Sequence, residues 1–446
     1  MTTPPIKMLV CGVGQVPSDC GVSVSKTQFA PRIGIAYRVK DDFVIRAGYG
    51  ITNDPFSLQR PLRTNYPVLL IQNIDPPNSF QFAGRLEQGI PKVTVPSLGN
   101  GIIDIPPTFA TVTVGENFRR GYVQSWNFTL QKGLKWGFVG QAGYVATRST
   151  RQLGYNDLNA GQVIGAGRSG QPLFQQFGRT SATTLVTPFG TGIYDSFQGT
   201  LERCFSQGLS LNLAYTFSKV IGFNDNSDSG PAVRYLPAFD RNRTVRSYNR
   251  PHNLQITNLW QLPFGKGKRY ASQGALSALA GGWQINNLLS FFSGTPFTVT
   301  SSGTSLNLPG SSQTTDQVKT SVEKLGGVGR GQSFFDPFAF APVTQARFGT
   351  SGFNTLYGPG VVNWDLGLFR KFQITEHHSL EFRAEAFNLS NTPHFGNPGT
   401  NVSNFNPTLA DPLRRFGGYT EITGTANTGR DGIDERMFRI GLRFSF

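Results

Sequence analysis

The sequence is short of charge. Of its 446 residues only 15% are Asp, Glu, Lys or Arg, well under the roughly 25% of a soluble domain. It also has no apolar run of about 18 residues, which excludes a transmembrane helix. Mean hydropathy is −0.23, so the missing charge has not been replaced by grease. The three cysteines have no zinc-ligand spacing. Cys11 and Cys20 are close enough in sequence to close a small loop in an oxidising compartment, and Cys204 is left over. No nucleophile elbow or Ser/His/Asp pattern is present, so the chain reads as a non-enzyme with no catalytic, cofactor or metal residues. The N-terminus, MTTPPIKMLVCGVG, lacks the apolar core of a signal peptide. Either the true start lies upstream or the chain is not exported.

What is present is aromatic and turn-rich: 12% aromatics, with 37 Phe, 53 Gly and 28 Pro. Few charges, many aromatics and a polar average suit a sheet with one greasy and one wet face, as in a transmembrane β-barrel. The net charge of +15 is scattered along the chain and forms no stripe or recognition helix, so nucleic acid is not expected as a partner. Basic loops facing outer-leaflet phosphates explain it more economically.

The dominant pattern is period two. At the C-terminus Phe438, Ile440, Leu442, Phe444 and Phe446 alternate with Met437, Arg439, Gly441, Arg443 and Ser445. Leu380, Phe382, Ala384 and Ala386 alternate with Glu381, Arg383 and Glu385. The same reading gives eleven strands, near 32–40, 43–51, 122–132, 136–147, 193–205 and 208–219. The others lie near 252–263, 282–293, 362–373, 379–389 and 435–446. Most are long enough to cross a bilayer with tilt. Connections after the first, third, fifth and ninth strands are short, and that after the seventh is intermediate. The other five, at 52–121, 148–192, 220–251, 294–361 and 390–434, are long and rich in Gly, Pro, Asn and Ser. Short turns at one end and long loops at the other are the two rims of an outer-membrane barrel.

A lipid-facing Arg near the midplane costs about 2–4 kcal/mol, so parity assigns the charged positions to the lumen. The lumen-facing candidates are Arg46, Glu202, Asp365, Lys371, Glu381, Arg383, Glu385, Arg439 and Arg443. Arg203 and Arg370 fall on the lipid side near short-turn ends, where a long side chain reaches the interface. Asn258 and Asn287 fall mid-strand on that side; they either pair across neighbouring strands or mark a register slip. Single-chain bacterial barrels have even strand numbers, and an open edge in hydrocarbon leaves backbone groups unpaired. Eleven strands therefore read as half a wall, with an odd number expected upstream.

These residues resemble the C-terminal barrel of TonB-dependent outer-membrane transporters, specifically the Oar-like branch. The stretches that carry the resemblance are FAPRIGIAYRV (29–39), FVIRAGYG (43–50), PHNLQITNLWQLPFGKGKRY (251–270) and GGWQINNLLSFFSGTPFTV (281–299). FFDPFAFAPV (334–343), YGPGVVNWDLGLFRKFQI (357–374) and LEFRAEAFNLSNTPHFGNP (380–398) follow in the same order. The terminal FRIGLRFSF matches the alternating, Phe-ended signal read by the barrel-assembly machinery. The resemblance implies an all-β, antiparallel barrel of about 22 strands, filled by an N-terminal plug through which TonB acts. The chain would then be the C-terminal portion of that barrel over 1–446, with 1–31 part of an extracellular loop and the plug absent. The implied partners are outer-membrane lipid and lipopolysaccharide, the assembly machinery and an unidentified bulky solute.

Other motifs read more plainly. The GxGxxG at Gly165 to Gly170 has no βαβ frame and suits a flexible loop. Asn224, Asn226 and Asp228 resemble the start of a calcium loop, but the glycine is one position late and Tyr235 stands where Glu is needed. His377 and His378 lack ligand spacing. Arg241, Arg243, Arg246 and Arg250 suit either anionic ligand or, preferably, a solvated loop end. The rivals to a transporter are an outer-membrane structural or adhesion protein that displays its loops, and a secreted soluble β-protein.

Overall fold

The computed structural model describes residues 5–54, 66–223, 230–426 and 435–446. Among them eleven long strands form one antiparallel meander. They are β1 (Arg32–Lys40), β2 (Phe43–Asn53), β3 (Tyr122–Gly133), β4 (Phe138–Asp157), β5 (Thr183–Ser206) and β6 (Leu209–Gly222). The rest are β7 (His252–Gln261), β8 (Trp283–Phe292), β9 (Val361–Gln373), β10 (Ser379–Phe387) and β11 (Met437–Ser445). Each pairs with its sequence neighbours, so the sheet order is the chain order. Every strand read from the alternation is present.

The turns show why the register holds. Between β5 and β6 the chain reverses at Gln207 (φ 51) and Gly208 (φ 83), two successive positive φ values as a two-residue hairpin demands. A one-residue slip there would send Leu209, Leu211 and Leu213 to the wet face. The connection after β7 is longer because it carries a helix, α2 (Gly274–Ala280). Another, α1 (Pro172–Phe177), lies between β4 and β5, opening on Pro172 and closing at Gly178 (φ 65).

β4 and β5 run about ten residues further than alternation predicts, to Asp157 and from Thr183. Their extension pairs Val186 with Tyr155 and Leu185 with Asn156. Past the bilayer both faces of a hairpin meet water or loops, so the apolar period fades although the pairing continues. Thr111–Val114 adds a short parallel strand beside the start of β5. The segment before β1 is laced to the β2–β3 loop by two short ladders, Ile6–Leu9 with Ile102–Ile105 and Ser23–Val24 with Asn117–Phe118. Cys11 and Cys20 are disulfide-bonded within it, and Cys204 is free and exposed.

The buried core lies in the long loops and the outer ends of β4 and β5. Phe297, Val299, Phe334, Phe335 and Phe340 from the β8–β9 loop pack with Val402, Tyr419 and Ile422 from the β10–β11 loop. A second cluster joins Tyr66, Ile103, Ile105 and Phe109, and a third joins Phe118, Leu153 and Val186. The wall itself leaves apolar side chains outside: Ile33, Ile35 and Tyr37 on β1, and Phe438, Ile440, Leu442 and Phe444 on β11, are exposed. β1 and β11 end the sheet path, each with one neighbour among the described residues.

Candidate functional site

Residues directly opposite in an antiparallel pair share a face of the sheet. Arg46 lies opposite Thr129, Thr129 opposite Gly143, and Gly143 opposite Gln198, four residues before Glu202 on the same strand. The path continues through Gln198–Thr216, Thr216–Asn253, Asn253–Phe292 and Phe292–Val361 to the parity of Asp365 and Lys371. Lys371 then opposes Glu381, Glu381 opposes Arg443, and Glu385 opposes Arg439. All nine charged candidates stand on one face.

Seven of them lie on β9, β10 and β11, and all of these but Asp365 gather together. Arg383 grips Glu381 through two bonds, Nε to Oε1 at 2.9 Å and Nη2 to Oε2 at 3.1 Å. With Lys371 and Arg443 flanking Glu381, this makes an alternating ionic ladder across three strands. Beside it lies a concavity of about 490 Å³, with Lys268, Gln284, Asn286, Lys371, Glu381, Arg383 and Glu385 in its lining. A hollow of 390 Å³ surrounds Glu202, with Cys204, Asn212, Thr257 and Asn286 in its lining. The other candidates sit apart. Arg46 donates to Gln131 on the neighbouring strand. Asp365 accepts from the Asn388 backbone N–H at 2.8 Å and from Asn363 Nδ2 at 2.9 Å, so it holds the end of β10.

The opposite face is apolar, with a few polar exceptions. Asn258 and Asn287 lie directly opposite each other, with no slip of register between β7 and β8. Asn287 Oδ1 also accepts from Trp364 Nε1 at 3.0 Å. Arg203 lies over the Phe138 ring at 5.5 Å. Near the long-loop end Arg148 pairs with Asp195 at 3.0 Å and lies 5.2 Å from the Trp126 ring centroid, while Tyr144 OH donates to the same carboxylate at 2.5 Å.

The long loops form a fixed platform rather than free ribbons. Its hub is Arg179, 1% exposed, which had no signal in the sequence. Its guanidinium donates to the carbonyls of Phe109 (2.5 Å), Ala182 (3.1 Å) and Pro106 (3.3 Å) and to the hydroxyls of Thr111 and Thr183. Burial lowers its pKa to about 10, with nearby Asp157 opposing the fall. Arg347 and Asp316 form a forked pair at 2.7 and 2.8 Å, which holds the Asp316 carboxyl below the usual range.

Two loop expectations need correction. The basic segment is a solvated loop end only at Arg243, which is exposed. Arg241 donates to Gly349 O and Ser351 O at 2.8 Å, Arg246 to Gly222 O at 2.6 Å and Arg250 to Ser293 O at 2.7 Å, so these side chains tie loop to loop. Nor is the GxGxxG stretch a free loop. Gly167 and Gly170 are buried, and the N–H groups of Gly165 and Gly167 donate to Leu306 O and Asn307 O. Carbonyls, satisfied by loop–loop bonding, fill the place that a phosphate would need. His378 bonds Thr375 within its turn, and His252 bonds Tyr215 OH at 2.8 Å. The calcium-like stretch of Asn224, Asn226 and Asp228 lies outside the described residues.

Comparison with known proteins supplies a family. A family model described as an outer membrane beta barrel domain matches residues 2–434. No curated protein matches. Among solved structures, the outer membrane transporter YddB from Escherichia coli aligns at 10% identity with TM-score 0.48, over 93% of this chain and 40% of that one. The siderophore receptor PiuA from Acinetobacter baumannii aligns at 10% identity and TM-score 0.40, over 93% and 35%. A mutant of the ferric enterobactin receptor PfeA from Pseudomonas aeruginosa aligns at 9% and 0.43, over 93% and 40%. The chain thus spans at most 40% of the length of these three proteins.

Proposed function

This chain belongs to the outer membrane beta barrel domain family and lies in the cell outer membrane, and from that we propose that it is part of the wall of a TonB-dependent transporter of the Oar-like branch. The whole protein would take up a bulky solute, binding it at the outer loops and releasing it when TonB acts on a plug domain. The observation that carries the reading is the eleven-stranded meander, apolar on one face and charged on the other, with both edge strands open among the described residues. An open edge in hydrocarbon is costly, so on this reading further strands of the same barrel, to about 22 in all, complete the wall. The nine charged candidates then face the lumen, where the β9–β11 ladder is available to the plug or to passing solute. Residues 1–31, of which Ile6–Leu9 and Ser23–Val24 are laced to the β2–β3 loop, belong to the outer surface. Phe438, Ile440, Leu442, Phe444 and Phe446 serve as the signal for the barrel-assembly machinery, and the basic loops lie against lipopolysaccharide phosphates.

The test is genetic, in the source organism. Deleting this gene and deleting tonB should each abolish growth on the same bulky nutrient, while leaving growth on small solutes intact. A gene deletion that alters only surface attachment, with no counterpart on deleting tonB, would favour a protein that displays its loops as an adhesin.

A further inference from the structure

The connection between β7 and β8 departs from the other short-turn connections. It contains α2, whose sequence GALSALA carries no charge, and Leu276 and Leu279 on one side of it are 64% and 72% exposed. Two leucines three apart in a helix point the same way. A helix of this composition standing in water has no reason to keep them outward.

The helix is anchored to the apolar face of the wall. Arg370 and Trp283 oppose each other across β8 and β9 on that face, one residue out of step with the charged ladder. Arg370 donates to Leu279 O at 2.7 Å and to Ala278 O, capping the helix C-terminus, and Trp283 Nε1 donates to Leu279 O at 3.1 Å. The same guanidinium stacks on the Trp283 and Phe372 rings at 5.3 and 4.2 Å. The arginine that parity puts on the lipid side is therefore the clamp that folds α2 back over the outside of the sheet. Leading into the helix, residues 262–273 hold Lys266, Lys268 and Arg269 with no carboxylate, and the exposed ring of Tyr270 lies beside Arg269 at 5.3 Å.

We propose that α2 is an interfacial helix seated in the bilayer leaflet at the short-turn rim, with Leu276 and Leu279 in the acyl region and Lys266 and Arg269 on lipid phosphates. The occupant is lipid, because the helix continues the lipid-facing side of the wall and its approach is purely cationic, the pattern of a membrane-surface helix. The inference rests on that face meeting lipid, and on short turns marking the periplasmic rim.

The experiment uses the protein expressed from its own full gene, in outer membranes, with Cys204→Ser and single cysteines at Leu276, Leu279, Ser272 or Leu442. Each variant carries a nitroxide, and heat-modifiable mobility confirms that it has assembled. Labels at 276, 279 and 442 should show a several-fold higher oxygen-to-nickel-chelate accessibility ratio than the label at 272. Adding Arg370→Gln should lower the ratio at 276 and leave that at 442 unchanged. If 442 reads as lipid while 276 and 279 match 272, the helix stands in water and the proposal fails. Labels at 276 and 279 shielded from both reagents would mean a protein partner covers them, which also overturns it. An aqueous reading at 442 as well would sink the lipid-face assignment itself and the proposal with it.

Discussion

Arg443 lies opposite Glu381 across the last antiparallel pair, and one residue away Leu442 lies opposite Phe382 on the other face. This single step separates an ionic ladder from a greasy surface. Lys in place of Leu442 should therefore impair membrane assembly far more than Lys in place of Ser445, which shares the face of Arg443. The cost of a lipid-facing Lys is about 2–4 kcal/mol at the midplane and falls toward the interfaces. The folded fraction on heat-modifiability gels measures it, and equal losses for the two variants would mean that the faces are wrongly assigned.

The strands themselves were legible in the sequence because hydrocarbon enforces alternation: a polar residue out of phase must find a partner, as Asn287 does in Trp364. The ends of β4 and β5 were not, since beyond the bilayer Thr150 and Gln152 face no lipid and pairing alone keeps them extended. The outer platform was invisible for another reason. Phe335 meets Phe297 in its own loop and Tyr419 from the next, contacts between distant segments that leave no local period. The charged ladder could be listed strand by strand from parity. That Lys371, Glu381 and Arg443 stand side by side needed the register between strands, and the clamp of Arg370 on α2 needed the path of the connection.

An open sheet exposes the N–H and C=O groups of β1 and β11, a template for pairing with other chains. Expressed without further strands, residues 1–446 should aggregate on refolding in detergent. Size-exclusion chromatography with limited proteolysis checks this. Recovery of a compact, protease-resistant monomer would count against the half-wall reading.

Arg179 satisfies carbonyls from 106 to 109 and from 182 in one buried spot. Arg179→Ala would leave the Phe109 carbonyl without a donor and take one of two donors from Pro106 O and Ala182 O, at about 1–3 kcal/mol for a group left without a partner. The expected result is faster proteolysis within the β2–β3 and β4–β5 loops, with the spanning strands still protected. Unchanged cleavage would remove Arg179 from its place as hub.

Asp316 is held below its ordinary pKa of 3.8, first by the hydrogen bonds from Arg347. Its contribution to stability is therefore complete above that value and is lost as pH falls through the lowered one. Asp316→Asn should loosen the β8–β9 loop at neutral pH, and variant and parent should converge only in strong acid. Hydrogen exchange of residues 313–351 against pH would show it. A difference that persists undiminished in strong acid would contradict the assignment.

The central claim is that this sheet is a membrane wall with the charged ladder on its wet side. The most direct measurement is thiol accessibility along β10 in outer membranes, with single cysteines at Glu381, Phe382, Arg383, Ala384 and Glu385 in a Cys204→Ser background. A water-soluble maleimide should label positions 381, 383 and 385 and spare 382 and 384, while a lipid-dissolved reagent shows the reverse. Uniform labelling, or the inverse alternation, would contradict the account.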